Sequence, residues 1–200
     1  MVYVKAKAGE RAGSREIKKI LLETVYELVS ENGIEETGMR AIADAADVST
    51  GTVNYHFENK HNLLIQAYDA AYTLPDDWEE YKGSAFGRLK KLISQYVFRS
   101  SPDRFWRFWV NYTARSTRDE EMRVRQDQRY IRQAAFWTQL LEDGKTEGIV
   151  RENLNSKRAA ERLLALGHGL VIRQFLSPTH ATRKECTQII KEELESFFAE

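Results

Sequence analysis

The residues from 49 to 56 concentrate small hydroxyl, amide and ring side chains on what reads as one short helix. They are Ser49, Thr50, Gly51, Thr52, Asn54, Tyr55 and His56. Hydroxyls and the free N–H groups of a helix N-terminus can donate to phosphate. Threonine methyls and asparagine amides can contact base edges in a major groove. Gly51 in the first turn costs about 1 kcal/mol of helix propensity relative to alanine, which indicates that the backbone approaches something closely.

The elements that must position these residues are two short helices separated by a tight turn. The pattern predicts helices from about Met39 to Ala45 and from about Thr50 to Phe57, with the turn at 46–48. This is the spacing of a helix-turn-helix. Asp47 falls where the turn requires a left-handed φ, which Asp tolerates better than most residues. The apolar contacts between the helices are expected from Ile42, Ala43, Val48, Val53 and Phe57.

The helices on either side of this pair carry clear end signals. Ser14 is expected to cap a first helix that Gly33 ends, and its apolar residues recur with a helical period from Ile17 to Val29. Ser49 is expected to cap the helix at 50–57, Asn59 a fourth helix starting at Lys60, and Ser156 a later helix. A lysine at a helix N-terminus opposes the helix dipole, and a phosphate held by Lys60 and nearby N–H groups would account for it.

The run VSTGTVNYHFENKHNLL, with MRAIADAA before it, resembles the DNA-binding signature of the TetR family of bacterial transcriptional regulators. The resemblance covers residues 14 to about 65. It implies an N-terminal helix-turn-helix DNA-binding domain over residues 14–62. The residues that it assigns to DNA are Arg40, Ser49, Thr50, Gly51, Thr52, Asn54, Tyr55, His56 and Lys60, with Tyr55 and Lys60 on phosphates. Asp47 replaces the usual turn glycine, and Asn54 stands where an aromatic residue is common.

Two features of this segment leave alternatives open. His56 fits a DNA contact and fits equally a packed histidine that hydrogen-bonds to the first helix. Residues 1–62 contain 8 Lys and Arg against 10 Asp and Glu, so DNA binding requires an asymmetric face. The basic residues of a flexible arm over residues 1–13 and of the helix that follows would supply this face: Lys5, Lys7, Arg11, Arg15, Lys18 and Lys19.

The rest of the chain predicts further helices and no convincing strand. After an acidic loop at 75–83, helices are expected at 84–99, 102–115, 119–145, 156–176 and 182–198, with Ser84 and Ser156 at the start of two of them. We therefore expect an all-α protein of about nine helices. Residues 63–200 are expected to form a helical ligand-binding and dimerisation domain.

Aromatic residues recur at helical spacing in this C-terminal region, with a histidine between two glycines. A plain aromatic core explains such stripes, and so does a ligand pocket. The pocket hypothesis assigns ligand contacts to Phe105, Trp109, Tyr112, Tyr130, Trp137 and His168. His168 also fits a core histidine with a hydrogen-bond partner.

A looser resemblance covers this region. The segment RFWRFWVNYTARSTRDEEMRVRQDQRY, with GLVIRQFLSP, is similar to the C-terminal domain of the BetI-like branch of the TetR family. That branch includes sensors of small cationic metabolites such as choline. An aromatic pocket could hold a quaternary ammonium by cation–π contact, and it would equally hold a flat apolar molecule.

The function classes that the sequence disfavours are enzymes, metalloproteins and membrane proteins. P-loop, GxGxxG, HExxH and GxSxG motifs are absent, the four histidines have no nearby cysteine, and no apolar run reaches about 18 residues. The start of the chain does not read as a signal peptide, and the single cysteine, Cys186, fits a reducing compartment. We expect a cytoplasmic bacterial protein without cofactor, metal or membrane.

A ligand-responsive DNA-binding regulator, most simply a repressor released by an inducer, is the interpretation we adopt. The alternative is a helical small-molecule-binding protein or enzyme that binds no DNA. The partners expected are a pseudo-palindromic DNA operator, a small-molecule effector and a second copy of the chain. The homodimer is expected through the last two helices, where Ala160 and Gly167 would allow close approach and Ile189, Ile190, Leu194 and Phe197 would form a stripe.

Overall fold

The fold is a succession of α-helices. The computed structural model describes residues 13–72, 82–98 and 104–198. In chain order the helices are α1 (Ser14–Glu36), α2 (Met39–Ala45), α3 (Thr50–Phe57), α4 (Lys60–Ala71), α5 (Ala85–Ser94), α6 (Arg104–Ser116), α7 (Glu120–Thr146), α8 (Ser156–Leu176) and α9 (His180–Glu195). These ranges contain no strand, only an isolated antiparallel bridge between Val150 and Phe198. The all-α prediction is confirmed.

Side-chain caps fix several helix starts as expected. The Ser49 hydroxyl accepts from the Thr52 N–H, the Asn59 amide oxygen accepts from the Asn62 N–H, and the Ser84 hydroxyl accepts from the Gly87 N–H. Each of these bonds satisfies one of the N–H groups that a helix start leaves unpaired.

Two predicted caps are wrong by one residue. Ser14 lies inside α1, whose N-cap is Gly13 without a side-chain bond. Ser156 is the first residue of α8, whose cap is the Asn155 side chain accepting from the Arg158 N–H. In both cases the preceding residue, and not the serine, adopts the non-helical backbone that a cap requires.

Some predicted boundaries also shift. Gly33 has a φ of 83° and kinks α1, but the helical hydrogen bonding resumes as far as Glu36. Helix α5 ends at Ser94 rather than near residue 99, and α9 begins at His180 because Thr179 caps it. Residues 1–12 of the arm predicted at 1–13 lie outside the described residues, and so do residues 75–81 of the predicted acidic loop.

The chain divides into two units by its contacts. The first contains the described residues up to 72 together with 104–118, and the second contains 82–98 and 119–198. The first unit therefore includes α6, which is distant in sequence from α1–α4. Tyr26 packs its ring 5.1 Å from that of Phe108, and the Ser30 hydroxyl donates to the Arg104 carbonyl at 3.0 Å. The DNA-binding domain expected at 14–62 thus lies within a larger structural unit.

The second unit is built from α5, α7, α8 and α9. Its buried core includes Leu89, Ile93, Trp137, Leu141, Leu163, Leu164, Val171 and Phe197. Gly167 of α8 lies against the ring of Tyr96, because a Cβ added at Gly167 would meet Tyr96 Cδ1 at 2.6 Å. Gly169, two residues further along, has nothing within 4 Å of such an added Cβ.

We predict that Gly167→Ala destabilises the protein and Gly169→Ala does not. A methyl group at position 167 must displace a buried ring, and overpacking of this kind costs about 1–3 kcal/mol. A methyl group at position 169 enters open space, and the variant gains up to about 1 kcal/mol of helix propensity. Urea unfolding of both variants measures the difference, and equal stabilities would contradict this packing of Tyr96.

Candidate nucleic-acid interface

Helix α3 has one face in the core and one in solvent. Val53 and Phe57 are 0% and 1% exposed, whereas Tyr55 is 80% exposed. Thr50, Gly51 and Asn54 are exposed as well. Burying Val53 and Phe57 therefore holds this eight-residue helix, and the predicted DNA contacts project outward from it.

A residue in the left-handed conformation and a hydroxyl cap precede α3 and fix where the helix begins. Asp47 has a φ of 56°, the left-handed conformation expected from the sequence. Ser49 accepts from the Thr52 N–H at 3.0 Å, and its hydroxyl lies 2.9 Å from the Thr52 hydroxyl. The two hydroxyls therefore share a hydrogen bond at the exposed first turn, where an external acceptor can replace one of them. Of the apolar residues expected between α2 and α3, Ile42, Ala43, Val53 and Phe57 are buried and Val48 is half-buried.

Gly51 is not required by packing against any described residue. Among those residues, a Cβ added there would meet only the Ser49 hydroxyl, at 3.5 Å, which is an ordinary van der Waals contact. Its backbone is helical, so no left-handed conformation explains the glycine either. A close partner outside the chain remains the reason that fits.

An open groove of about 480 Å³ runs between the start of α1 and α3. Five predicted DNA contacts line it, together with two residues of α1 that the sequence did not assign to DNA. The lining residues are Ser14, Ile17, Ser49, Gly51, Thr52, Tyr55 and His56. The start of α1 therefore shares one surface with α3. Amphipathic periodicity could not reveal this, because it identifies Ile17 only as part of an apolar stripe.

His56 is half-buried between two rings. Its ring centroid lies 5.2 Å from that of Tyr55, edge to face, and 6.1 Å from that of Phe57. It thus bridges the exposed and buried faces of α3 and borders the groove. Both sequence interpretations of His56 retain support, since the ring is packed and still reaches the surface.

Lys60 has a partner that the sequence did not indicate. Its ammonium donates to the backbone carbonyl of Ile34 near the end of α1. The last carbonyls of a helix carry partial negative charge, and Lys60 therefore ties the start of α4 to the end of α1. Thr37 stabilises the same bend by donating its hydroxyl to the Gly33 carbonyl at 2.7 Å. A phosphate is thus not needed to explain a lysine here, and the DNA role of Lys60 stays a prediction.

The charges of the first unit are distributed asymmetrically. Glu27 and Glu31 of α1 lie 2.8 and 3.5 Å from the Arg104 guanidinium, and Glu35 lies 3.7 Å from that of Arg115. These acids therefore lie on the side of α1 that faces α6. Toward the other end of the helix, the Lys18 ammonium lies 5.7 Å from the centre of the Phe57 ring of α3. Three of the ten acidic residues that weighed against DNA binding thus have arginine partners in α6.

Arg40 extends from α2 into solvent. Its side chain is 89% exposed and its guanidinium lies 4.0 Å from the Asp44 carboxylate on the same helix. An exposed pair at this distance contributes little to stability, so Arg40 can exchange Asp44 for a phosphate at small cost. Lys19 is similarly exposed, 4.0 Å from Glu23.

The residues predicted to line a ligand pocket fall into both units. Phe105, Trp109 and Tyr112 belong to the first, where Tyr112 is fully buried and stacks on Tyr68 with ring centroids 4.0 Å apart. Phe105 contacts Tyr72 edge to face at 4.8 Å. These rings form an aromatic core of α4 and α6.

The other three predicted pocket residues lie in the second unit around a tyrosine. Tyr96 follows α5, and its ring lies 5.9 Å from that of Trp137 and 5.4 Å from that of His168, edge to face in each case. The His168 ring also lies 6.3 Å from that of Tyr130. The buried Gln133 amide donates to the Tyr96 hydroxyl at 2.9 Å. Gln133 was not predicted, because a glutamine on a long helix reads as a solvent residue.

The expected dimer stripe of the last helix is directed into its own chain. Ile190, Leu194 and Phe197 are buried, and so are Ala160 and Gly167 of α8. The part of the dimer hypothesis that used these residues as the outer face is therefore wrong. An exposed stripe runs along α8 instead, and its members are Ala165, Gly169, Ile172 and Leu176.

The described part of the chain shows no membrane or metal feature. None of its helices has the length and apolarity that a bilayer span requires. It contains no group of three or more His, Cys, Asp or Glu residues placed to hold a metal ion.

Two family models match the chain. Residues 21–67 match the model described as bacterial regulatory proteins of the tetR family. Residues 86–199 match the model described as the C-terminal domain of BetI-type transcriptional repressors. Together the two matches cover both regions in which the sequence resembles this family.

Individual proteins give the same pattern. The repressor KstR of Mycobacterium tuberculosis is 35% identical over 75 residues, which cover 38% of this chain and 34% of KstR. The chain thus aligns with only about a third of that relative's length. The regulator PksA of Bacillus subtilis is 23% identical over 92% of this chain and 90% of its own.

Two solved structures of transcriptional regulators have a similar fold. A transcriptional regulator from Saccharomonospora viridis, crystallised with choline, superposes with a TM-score of 0.79 at 22% identity, covering 93% of this chain and 99% of its own. A TetR regulator from Haloarcula marismortui gives 0.82 at 16% identity, covering 92% and 100%. At these identities the likeness concerns the fold.

We predict that Lys60→Ala lowers the free energy of unfolding by about 1 kcal/mol, because it removes a charge-assisted hydrogen bond to a backbone carbonyl while relieving a smaller dipole opposition. Thermal or urea unfolding measures the change. Lys90→Ala, at an exposed position of α5, is the matched control and should lie within about 0.5 kcal/mol of the parent. Unchanged stability in Lys60→Ala would contradict the tie to α1.

Proposed function

Because the chain belongs to the TetR family of bacterial regulatory proteins, we propose that it is a ligand-responsive DNA-binding transcriptional regulator. The observation that carries the proposal is the exposed face of α3. It presents small donors and an 80% exposed tyrosine, next to a glycine that no contact with a described residue requires. A helical ligand-binding protein or enzyme without DNA binding would have no use for such a face.

The roles of the interface residues follow from their chemistry. Tyr55 and Arg40 reach far enough from the surface to donate to phosphates, which fixes orientation without reading sequence. Thr52 and Asn54 are short and point from the helix that would enter the major groove, where methyl and amide groups discriminate bases. Gly51 lets the backbone N–H groups of the first turn approach a phosphate. The remaining members of this surface are Ser49 and Thr50, which add hydroxyl donors, and Lys60 and His56, which border it.

The regulator acts as a repressor that a small molecule releases from its operator. Release requires that the effector bind more tightly to the state that cannot hold DNA. KstR is named a transcriptional repressor, and the Saccharomonospora viridis regulator holds choline. For this chain we propose a small-molecule effector, and we do not assign choline to it. We place the protein in the bacterial cytoplasm and assign it no catalytic reaction.

The functional form is a homodimer through α8. Leu176 and Ile172 are 78% and 41% exposed, and Gly169 and Ala165 continue the stripe toward the start of the helix. The two small residues would let a second copy of α8 approach closely, and two-fold symmetry would cover both stripes at once. The same symmetry presents two α3 helices to successive major grooves, about 35 Å apart. The operator is accordingly a pseudo-palindrome.

The first prediction concerns DNA binding. The purified chain should retard the DNA upstream of its own gene, and Tyr55→Phe and Gly51→Ala should weaken binding to every sequence tested. Gly51→Ala should meanwhile raise thermal stability, because alanine is the better helix former. A loss of affinity together with a gain of stability is therefore expected from Gly51→Ala alone.

Thr52→Ala provides the contrast, since it should change base preference with little change in salt dependence. Lys90→Ala, remote from α3 in sequence, is the control that should leave DNA affinity unchanged. If Gly51→Ala and Tyr55→Phe retard the DNA as strongly as wild type does, the assigned interface is contradicted. Failure of wild type to bind any upstream DNA would contradict the proposed function.

The second prediction concerns the dimer. Leu176→Glu should convert a species of about twice 23.2 kDa into the monomer, because it places an unpaired charge in a desolvated interface. Ile131→Glu, on the 57% exposed Ile131 of α7, is the matched control and should remain dimeric. Sedimentation at micromolar concentration measures both, and a monomeric wild type would end the proposal.

A further inference from the structure

A polar and aromatic cluster lies inside the second unit where the end of α5 meets α7 and α8. We call it the Tyr96 cluster and define it as Tyr96, Tyr130, Gln133, Trp137 and His168. Tyr96 is its centre: its ring meets those of Trp137 and His168 edge to face at 5.9 and 5.4 Å, and its hydroxyl accepts from Gln133 at 2.9 Å. Tyr130 closes the cluster against His168 at 6.3 Å.

The cluster is fixed in place by the backbone around it. The buried Gln174 donates to the Tyr96 and Leu170 carbonyls at 2.9 Å each, and it accepts from the Phe98 N–H at 2.8 Å. The Gly167 backbone leaves no room for a side chain beneath the Tyr96 ring. Tyr96 therefore keeps one orientation, and a molecule that enters must adapt to it.

The indole N–H of Trp137 has no hydrogen-bond partner among the described residues, and this side chain is fully buried. An indole nitrogen can only donate, and buried tryptophans ordinarily have a partner for this group. Leaving such a donor unsatisfied is unfavourable. An acceptor atom supplied by a bound molecule would remove the deficit, so Trp137 points to a ligand carrying a carbonyl, ether or carboxylate oxygen.

Tyr130 and His168 are the half-buried members of the cluster, whereas Tyr96, Gln133 and Trp137 are buried. A molecule that binds the indole N–H would therefore approach from solvent past these two rings. The aromatic walls favour a ring over an aliphatic chain, because stacked and edge-on contacts add to simple burial.

The charges near the cluster disfavour a cation. Burial, with the Arg129 charge as a second cause, lowers the pKa of His168 to about 4, so the imidazole is neutral near pH 7. Burial raises the pKa of Tyr96, which is likewise neutral, and the Arg129 charge reaches it too. The Glu161 carboxylate acts on Tyr130, whose pKa is raised mainly by burial, and lies 3.9 Å from Arg158. Arg129 therefore acts on Tyr96 and His168, and Glu161 acts on Tyr130. A quaternary ammonium group carries no acceptor, so it would leave the Trp137 indole N–H without a partner.

We propose that the Tyr96 cluster binds an uncharged or anionic aromatic molecule through an oxygen acceptor placed on the Trp137 indole N–H, and that it excludes quaternary ammonium compounds. This inference rests on the proposed function, because the bound molecule is the effector that the regulator requires. It separates this chain from the Saccharomonospora viridis regulator, whose ligand is choline.

The test compares three probes of similar ring size: acetophenone, benzoate and benzyltrimethylammonium. Calorimetric titration of the full-length protein should detect acetophenone and benzoate at millimolar concentration or below, and should detect neither benzyltrimethylammonium nor choline. On addition of acetophenone, the indole proton signal that disappears in Trp137→Phe should shift in the nuclear magnetic resonance spectrum of wild type. Binding of the two cations at least as tight as that of acetophenone, or no binding of any probe, would overturn the proposal.

Variants assign the effect to the named groups. Trp137→Phe keeps a ring and loses the donor, so acetophenone affinity should fall by roughly tenfold. Arg129→Gln should lower benzoate affinity and leave acetophenone affinity unchanged, which a merely structural role of Arg129 would not do. Trp109→Phe, in the first unit, is the control for loss of a tryptophan. An unchanged acetophenone affinity in Trp137→Phe would overturn the assignment.

DNA retardation by the same proteins separates this inference from the function on which it rests. If wild type binds its upstream DNA and the Tyr96 cluster prefers cations, only the ligand class is wrong. If wild type binds no DNA while acetophenone binds at Trp137, the regulatory function is wrong and the binding site stands. Circular dichroism shows whether Trp137→Phe folds. If it does not fold, the comparison of benzoate and acetophenone affinities in Arg129→Gln still tests the proposal.

Discussion

The burial of Val53 and Phe57 is the constraint on which the candidate DNA interface depends. Helix α3 has only eight residues, too few to be stable alone, and these two side chains supply its hold on the core. Because a helix has 3.6 residues per turn, fixing positions 53 and 57 in the core directs Gly51 and Tyr55 outward, and both are exposed. The Asp47 turn and the Ser49 cap then determine where the helix starts. The candidate DNA contacts of α3 are thus the residues that its packing against the core leaves exposed.

Local signals made this part of the molecule predictable from the sequence. The left-handed Asp47, the Ser49 and Asn59 caps and the buried set of Ile42, Ala43, Val53 and Phe57 all follow from neighbours within a few residues. Contacts across the chain were not predictable. Lys60 binds the Ile34 carbonyl, 26 residues away, and nothing in the local pattern distinguishes that carbonyl from a phosphate as its partner. The same holds for the grouping of α6 with α1 and for the Gln133 bond to Tyr96.

The glycines show how a single residue type carries different physical meanings that only the structure separates. Gly33 bends α1 with a φ of 83°, Gly167 makes room for the Tyr96 ring, Gly169 faces open space, and Gly51 meets only a hydroxyl. From the sequence, Gly167 and Gly169 are equivalent neighbours of a histidine in an apolar helix. This difference corrects the dimer hypothesis. Gly167, which the sequence assigned to the contact with a second copy, packs in the core, and the exposed stripe that contains Gly169 lies on a different face of α8.

The two units are joined by the chain itself. The chain passes from one unit to the other three times, and the passage from α6 to α7 lies in the described residues. It is short: the Arg118 N–H donates to the Arg115 carbonyl, and Asp119 already caps α7. Helix α6 is held to α1 by the Arg104 pairs with Glu27 and Glu31 and by the Asn111 amide, which donates to the Val29 carbonyl at 3.4 Å. A ligand that releases a regulator from DNA must favour one arrangement of the protein over another. Such a ligand changes operator affinity only by its difference in affinity for the two arrangements. Because a shift from 1:99 to 99:1 requires about 5.5 kcal/mol of that difference, one satisfied indole donor contributes a part of it, and burial of the effector ring must supply the rest.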